Sequence, residues 1–126
     1  MKKPRTRLRV AALVAFIAIG AAACVPRPAP APSGSCFEVA CAADAIHLAF
    51  PEPGLYEQAL AVARCESGHR PWAENGQYKG LFQMGSNYYG TLAAVNDGRW
   101  ENGVTNALAA RVAFDASGWG PWSCRP

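Results

Sequence analysis

Histidine is scarce in this 126-residue sequence, and its two histidines, His47 and His69, have no spacing typical of a metal-binding pair. Ser67 and His69 lie too close together in the chain to act as nucleophile and base, and no Gly-x-Ser-x-Gly motif is present. These absences argue against a histidine-bound catalytic metal and against a serine hydrolase. We expect neither a metal ion nor a cofactor.

A basic patch for nucleic acid is also missing once the N-terminal head is set aside. Five of the twelve Lys and Arg residues precede Cys24, which leaves seven against nine Asp and Glu residues and a net charge of −2. Proteins that bind nucleic acids through phosphate contacts need a concentrated positive surface. We therefore expect no nucleic-acid partner.

Long alternating patterns typical of β-strands do not occur, and no segment of the sequence is repeated. Apolar residues recur instead at helical spacing, with Pro53 and Gly118 suited to the start and the end of a helix. The predicted fold is therefore mainly α. Helices are predicted within residues 37–50, from Pro53 to Cys65 or Glu66, over residues 88–95 and from Thr105 or Asn106 to Ser117.

Two further local expectations follow from these patterns. Asn75-Gly76 is a turn signal that can close a small hairpin between the second and third helices. The i, i+4 spacing of apolar residues predicts which helix faces are buried. The predicted faces contain Val39, Ala42, Ala43 and Ile46 in the first helix and Leu108, Val112 and Ala116 in the last.

The N-terminal segment has the pattern of a secretory signal. Five cations precede an apolar run over residues 10–23, which ends in Ala21-Ala22-Ala23. The run is too short to span a bilayer comfortably as a permanent helix. A buried core helix would place those cations beside the core. We therefore predict that residues 1–23 are a signal peptide and that the protein is exported to the cell envelope.

Cys24 is predicted to anchor the exported chain. Five cysteines leave one without a partner, and Ala21-Ala22-Ala23-Cys24 resembles a bacterial lipobox, in which the cysteine becomes the lipidated N-terminus. The alternating prolines of residues 25–35 favour an extended spacer that reaches roughly 34 Å at about 3.1 Å per residue. We predict a lipidated Cys24 and a linker over residues 24–35 that tie the protein to a membrane. Simple secretion is the alternative.

The other four cysteines form an even set in a domain predicted over residues 36–126. Export to an oxidising compartment favours disulfide bonds over a zinc site, and a core of this size is thin enough to benefit from them. Four cysteines allow three pairings. The set consists of Cys36, Cys41, Cys65 and Cys124.

Glu66 is the strongest candidate for a catalytic residue. It follows an apolar helix and precedes Gly68, where the backbone can open to a ligand. Cleavage of a glycosidic bond needs a carboxylic acid that keeps its proton near neutral pH, which partial burial against apolar groups favours. The alternative is a solvated glutamate that pairs with Arg64 or Arg70. The motifs that follow Glu66 favour the catalytic interpretation.

Three segments carry a resemblance to a known family over residues 55–124. These segments are Cys65-Glu66-Ser67-Gly68, Gly80-Leu81-Phe82-Gln83 and Trp119-Gly120-Pro121-Trp122-Ser123-Cys124. They resemble the lysozyme-like lytic transglycosylases, close to the actinobacterial resuscitation-promoting factors. The resemblance implies a small lysozyme-like domain, with a loop or short hairpin lining a cleft, that cleaves peptidoglycan. The serine that many soluble members keep between the first two motifs is missing, and Met84 is followed by Gly85 rather than a larger residue.

The same resemblance implies roles for individual residues. Glu66 would be the catalytic acid and base, and Gln83 with the backbone of Gly80 and Leu81 would contact the N-acetyl groups of the sugars. The family-like tail also selects a Cys65–Cys124 disulfide, which leaves Cys36 to pair with Cys41. Asn106-Ala107 resembles the family's Asn before its last core helix. Among the aromatic residues, Trp72 or Tyr78 is expected near the cleft and Trp119 mainly in the core.

The implied reaction cuts the bond between N-acetylmuramic acid and N-acetylglucosamine with one carboxylate. Glu66 protonates the leaving oxygen and then acts as base, while the sugar's own 6-hydroxyl attacks to form a 1,6-anhydro end. Inverting hydrolysis would instead need a second carboxylate about 6.5–9.5 Å away. A wall-binding or signalling module with little catalysis is a further alternative, although a binder has no need of Glu66. We expect a monomer whose partners are glycan strands. The candidate second carboxylates are Glu74, Asp97, Glu101 and Asp115.

Overall fold

The computed structural model describes residue 20 and residues 27–126, so Cys24 and the predicted signal peptide other than residue 20 lie outside the described residues. The prediction of a mainly helical domain with a short hairpin is confirmed. Two single-turn 3₁₀ helices, Val39–Cys41 and Ser86–Tyr88, precede the first and third α-helices. Within the described part of the chain, no helix is long and apolar enough to cross a membrane. The elements are α1 (Ala42–Ala49), α2 (Pro53–Ser67), β1 (Glu74–Asn75), β2 (Tyr78–Lys79), α3 (Tyr89–Ala94) and α4 (Gly103–Ser117).

Local sequence signals account for the ends of the two long helices. Helix α2 begins at Pro53, as predicted, because the fixed φ of proline suits a first helical turn. It ends where Gly68 adopts a left-handed conformation and donates its N–H to the Arg64 carbonyl at 2.9 Å. Helix α4 begins earlier than the predicted Thr105 or Asn106, because Asn102 Oδ1 accepts a hydrogen bond from the Val104 N–H at 3.1 Å.

The hairpin that joins α2 to α3 is antiparallel, with Asn75 opposite Tyr78. Gly76 takes the first central position of its two-residue turn with a φ of 60°, a conformation that glycine adopts at little steric cost. This confirms the turn predicted at Asn75-Gly76. The hairpin follows the C-terminal end of α2 after a six-residue connection, and Glu74 and Asn75 of β1 line the same cavity as Glu66.

The buried faces of α1 and α4 differ from those predicted. Val39 and Ala43 are exposed, and Val112 is 50% exposed, whereas Asn106 and Ala110 are buried. Helix α4 packs on α1, and both helices are rich in alanine and other small or apolar residues. Such a helix is apolar on most sides, so periodicity does not single out the face that its neighbour covers.

An aromatic cluster closes the core under the C-terminal tail. Trp119 packs on Phe114 and stacks on Phe50, with ring centroids 4.7 Å and 5.6 Å apart, and so contributes to the core as expected. Trp122 is 6% exposed, and its indole N–H donates to the Phe82 carbonyl at 2.9 Å. The tail is therefore attached to the segment that carries the Gly-Leu-Phe-Gln motif.

The structure contains both disulfide bonds that the family resemblance implied. Cys36 is bonded to Cys41 across a short loop, with Cα atoms 5.6 Å apart. Cys65, in the last turn of α2, is bonded to Cys124, 59 residues further along the chain, with Cα atoms 5.9 Å apart. The second bond joins the C-terminal end of α2 to the tail.

The end of the predicted linker is docked on the segment before α4. Asn96 bonds both polar backbone groups of Gly34, and the Asn102 amide nitrogen donates to the Gly34 carbonyl at 3.0 Å. Asp97 holds the same segment by accepting from Thr105 Oγ1 at 2.6 Å and from Asn102 Nδ2 at 2.9 Å. Burial raises the pKa of Asp97, but these hydrogen bonds outweigh it, so the pKa lies below its ordinary value.

Arg111 of α4 ties the connection between α1 and α2 to the domain. Its terminal amino groups donate to both oxygens of Glu52 at 2.8 and 2.9 Å, and its Nε donates to Asp115 at 2.8 Å. A bidentate pair of this kind is stronger and more specific than a single contact. The hydrogen bond from Arg111 lowers the pKa of Glu52 from 4.5 to about 2.

The Glu52–Arg111 pair predicts part of the acid sensitivity of the fold. Because the folded state lowers the pKa of Glu52, the pair stabilises the protein fully above about pH 4.5, and this contribution is lost as the pH falls towards 2. Glu52→Gln should therefore lower stability at pH 7 and flatten the pH dependence between pH 4.5 and 2, measured by urea unfolding. Asp115→Asn keeps the pair and should keep that dependence. An unchanged slope in Glu52→Gln would contradict the assignment.

Candidate active site

Glu66 lies in the last turn of α2 and is half-buried. The next residue, Ser67, is buried and donates its hydroxyl to the Ala63 carbonyl at 3.0 Å, which fixes the end of the helix. The Glu66 carboxylate accepts a hydrogen bond at Oε1 from the Cys124 N–H at 3.1 Å. Because Cys124 is disulfide-bonded to Cys65, the residue before Glu66, the bond holds the Cys124 N–H beside the Glu66 carboxylate.

The carboxylate of Glu66 is not paired with a cation. Within residues 27–126, the ion pairs involve other acids, and neither Arg64 nor Arg70 forms one with Glu66. The alternative of a surface glutamate that pairs with one of these arginines is therefore not what the structure contains. Within the described chain, the only hydrogen bond that the Glu66 carboxylate accepts comes from the Cys124 backbone N–H.

Three adjoining cavities form a groove past Glu66. The first, which we call the Trp72 cavity, has a volume of about 440 Å³, and its walls are Glu66, Arg70, Trp72, Ala73, Glu74, Asn75 and Gln83. The central cavity has about 200 Å³ and is lined by Glu66, Asn75, Tyr78, Gln83, Pro121, Trp122 and Ser123. The third, the Tyr88 cavity, has about 300 Å³ and is lined by Tyr78, Gln83, Met84, Gly85, Asn87, Tyr88, Pro121 and Trp122.

Shared walls show how the groove is arranged. Glu66 lines both the Trp72 cavity and the central cavity, so its carboxylate stands where the two meet. Gln83 lines all three cavities, and Tyr78 joins the central cavity to the Tyr88 cavity. An extended ligand that follows the groove would therefore pass Glu66 with binding surface on both sides.

Gln83 is oriented by its own loop. Its side-chain nitrogen donates to the Ala73 and Gly80 carbonyls, both at 3.0 Å. Because both partners can only accept, the amide nitrogen must face them. The Gln83 Oε1 atom has no hydrogen-bond partner among the described residues and remains available as an acceptor in the groove.

Gly80 and Leu81 do not line the groove, and the expectation that their backbone contacts the sugar stays a prediction. Both are buried, and neither belongs to a wall of the three cavities. Gly80 has a φ of 81°, and a Cβ atom there would lie 2.8 Å from the Trp100 carbonyl oxygen and closer still to the Asn106 amide. These two residues allow the loop to pack closely on α4, and Gln83 reaches the groove from that loop.

Asn106 is the residue that holds this loop, a role that sequence reasoning did not assign. Its Oδ1 accepts from the Phe82 N–H at 2.7 Å, while its Nδ2 donates to the Lys79 carbonyl at 3.0 Å and the Trp100 carbonyl at 3.3 Å. The residue is fully buried. A polar residue within an alanine-rich helix was the available signal, because buried amides need hydrogen-bond partners.

Trp72 and Tyr78, the aromatic residues expected near the cleft, both lie on the groove. Trp72 is 51% exposed in the Trp72 cavity, and Tyr78 is 47% exposed between the other two cavities. Both rings are therefore accessible to a ligand that enters the groove. The sequence did not identify Arg70, Asn75, Tyr88 or Pro121 as wall residues, because Asn75 was predicted only as part of a turn and Pro121 only as part of the tail motif.

Glu74 is the one candidate second carboxylate that shares a cavity with Glu66. The Oε1 atom of Glu74 pairs with Lys79 Nζ at 2.6 Å, and the hydrogen bond to Glu74 raises the pKa of Lys79. Asp97 is bound to the segment before α4, and Asp115 is bound to Arg111. Neither of these, nor Glu101, belongs to a wall of the groove.

No group of three or more His, Cys, Asp or Glu residues suited to a metal ion occurs within the described residues.

No protein-family model matches the chain, and neither a curated protein nor a solved structure matches it. The function of the protein must therefore be inferred from the groove and from the motifs in its sequence.

Proposed function

We propose that the protein is a peptidoglycan lytic transglycosylase with a small lysozyme-like domain. The observation that carries the proposal is the position of Glu66, a half-buried carboxylate without an ion-pair partner in the described chain, at the junction of two cavities in an open groove. The motif resemblance supplies the reaction, and the groove supplies the room for a glycan on both sides of the acid.

The walls of the groove suit a chain of N-acetylated sugars. Exposed faces of Trp72 and Tyr78 can stack on sugar rings, which are apolar on their faces and polar at their rims. The Oε1 atom of Gln83 is oriented to accept a hydrogen bond, such as one from the N–H of an acetamido group. This assigns a sugar contact to the Gln83 side chain, and a supporting role to Gly80 and Leu81.

The reaction that fits a single carboxylate begins with proton transfer from Glu66 to the oxygen that leaves C1 of N-acetylmuramic acid. As the C1–O bond breaks, the Glu66 carboxylate takes the proton of the same sugar's 6-hydroxyl, and O6 bonds to C1. The products are a 1,6-anhydro end and a free 4-hydroxyl, and no water is consumed. The Cys124 N–H holds Oε1, which leaves Oε2 to give and take the proton.

Two other functions remain distinguishable by their products. A hydrolytic lysozyme would use Glu74, which shares the Trp72 cavity with Glu66, to activate water. A wall-binding or signalling module would bind glycan without cutting it. Mass spectrometry of purified peptidoglycan digested with the protein should show anhydro ends. Reducing ends, lost on Glu74→Gln, would favour hydrolysis, and bound but intact strands would favour the binding module.

We also propose that the enzyme is a lipoprotein of the cell envelope, anchored through Cys24. Gly34 is bound to the domain, so residues 25–33 of the proposed spacer would extend from it, with a reach of roughly 28 Å at about 3.1 Å per residue. That reach would keep the enzyme on glycan strands near the membrane. A single acyl chain anchors weakly, so bacterial processing with more than one chain is required.

The anchor is tested by Cys24→Ala. The wild-type protein should fractionate with membranes, whereas the variant should appear in the medium or remain unprocessed, because it lacks the thiol that receives the lipid. Detergent fractionation and mass spectrometry of the mature N-terminus measure both outcomes. A wild-type protein that is wholly soluble, with an unmodified N-terminus at Cys24 or beyond, would instead favour simple secretion.

A further inference from the structure

Arg70 is the single cationic residue on the walls of the three cavities within the described chain. It lines the Trp72 cavity together with Glu66 and Trp72. Two hydrogen bonds fix its position after the end of α2, because its backbone N–H and its side-chain Nε both donate to the Ser67 carbonyl, at 3.3 and 2.8 Å. The groove therefore has a positive charge on one side of the acid.

The free donors of Arg70 point to an anionic ligand. A guanidinium carries five N–H donors, and the Nε bond to Ser67 fixes the orientation of its plane. The two terminal amino groups have no hydrogen-bond or ion-pair partner among residues 27–126. Arg111 shows the contrast, since its side-chain nitrogens are bound to Glu52, Asp115 and Ala49. Arg70 thus presents an oriented and unused fork, the geometry that matches a carboxylate.

We propose that Arg70 binds a carboxylate of the substrate and makes the enzyme selective for glycan strands that carry acidic peptide branches. This inference rests on the proposed function. The sugar backbone of such a strand offers only neutral hydroxyl and acetamido groups, whereas its anions lie on the lactyl-peptide branches of the muramyl units. Arg70 shares a cavity with Glu66, so the branch that it recognises belongs to a sugar beside the bond that is cut.

A purely structural role for Arg70 makes a different prediction. A cation after the C-terminal end of α2 satisfies a helix carbonyl and interacts favourably with the helix dipole, whatever the ligand. Loss of that role would lower the thermal stability of the protein. Loss of the capping role would not change the ratio of the protein's affinities for two ligands that differ only in charge. This affinity ratio is therefore the measurement that separates the two roles of Arg70.

The test measures binding without cleavage. In a Glu66→Gln background, calorimetry would compare a disaccharide-peptide with free carboxylates and the same compound with its carboxylates amidated. Arg70 is exposed, so we expect a preference for the acidic ligand of about three- to tenfold, which decreases as salt is raised. Arg70→Gln should abolish the preference. Arg64→Gln, which removes a cation from the other side of α2, should retain it.

The outcomes separate this inference from the function on which it rests. Equal affinity for the two ligands, or a preference that survives Arg70→Gln, would overturn the role of Arg70 even if the wild-type protein releases anhydro products. A lower melting temperature of Arg70→Gln with an unchanged preference would assign the residue to helix capping alone and would also overturn the inference. Absence of cleavage together with absence of binding to either ligand would reject the proposed function itself.

Discussion

Glu66→Gln is expected to abolish peptidoglycan cleavage while the fold stays intact. The amide has the shape of the acid but cannot donate a proton to a leaving oxygen, and general acid–base catalysis contributes roughly 10²–10⁴-fold to such reactions. The side-chain oxygen of glutamine can still accept the hydrogen bond that the Cys124 N–H donates to Oε1. Product release from purified peptidoglycan measures activity, and circular dichroism with a melting curve measures the fold.

Glu57→Gln is the matched control for that experiment. Glu57 lies on the same helix and is exposed, but it lines a cavity away from Glu66. Its substitution makes the same change of charge and should leave turnover near the wild-type level. If Glu66→Gln retains wild-type turnover, the catalytic acid lies elsewhere and the assignment of this groove as the active site is wrong.

Loss of the Cys65–Cys124 disulfide should reduce both stability and activity. The bond closes a loop of 59 residues, which corresponds to about 4 kcal/mol in the chain-entropy description of disulfide stabilisation. It also holds the Cys124 N–H on the Glu66 carboxylate and keeps Pro121 and Trp122 in the wall of the groove. The double variant Cys65→Ala/Cys124→Ala should therefore lose cleavage even at a temperature where it remains folded.

The second disulfide provides a control within the same chain. Cys36 and Cys41 are five residues apart, and closing so short a loop corresponds to about 2 kcal/mol. Cys36→Ala/Cys41→Ala should melt at least about 8 °C above the Cys65–Cys124 double variant and should keep its turnover when folded. Equal losses of activity in the two variants would show that general destabilisation, rather than placement of the tail beside Glu66, explains the effect.

The positions of the helices and of the hairpin were predictable because they depend on neighbours in the sequence. Pro53 starts α2, Gly118 ends α4, and Gly76 forms the turn of the hairpin. Each of these signals acts through the conformation of one residue and the hydrogen bonds of the next few. The start of α4 was predicted too late because the capping role of Asn102 was not recognised.

The candidate site was predictable only in part. Motifs in the sequence identified Glu66 and Gln83, and the structure places both on one groove together with Trp72 and Tyr78. The same motif made Gly80 and Leu81 candidates for ligand contact, but both are buried. A motif identifies residues that occur together in the sequence. It does not show which of them face a ligand and which support the loop, because their orientation depends on the part of the protein against which the loop packs.

The amino-acid sequence by itself determined a mainly helical chain, the turn at Gly76 and the presence of a candidate acid at Glu66, since these depend on short-range backbone preferences and on local motifs. Only the tertiary structure decided that the Asn106 and Ala110 side of α4 is buried, with the loop of the Gly-Leu-Phe-Gln motif bound to Asn106, where several faces were apolar enough for burial. It also decided that a backbone N–H from Cys124 meets a carboxylate 58 residues away. Contacts over such distances depend on how the helices pack together, and no local preference encodes them.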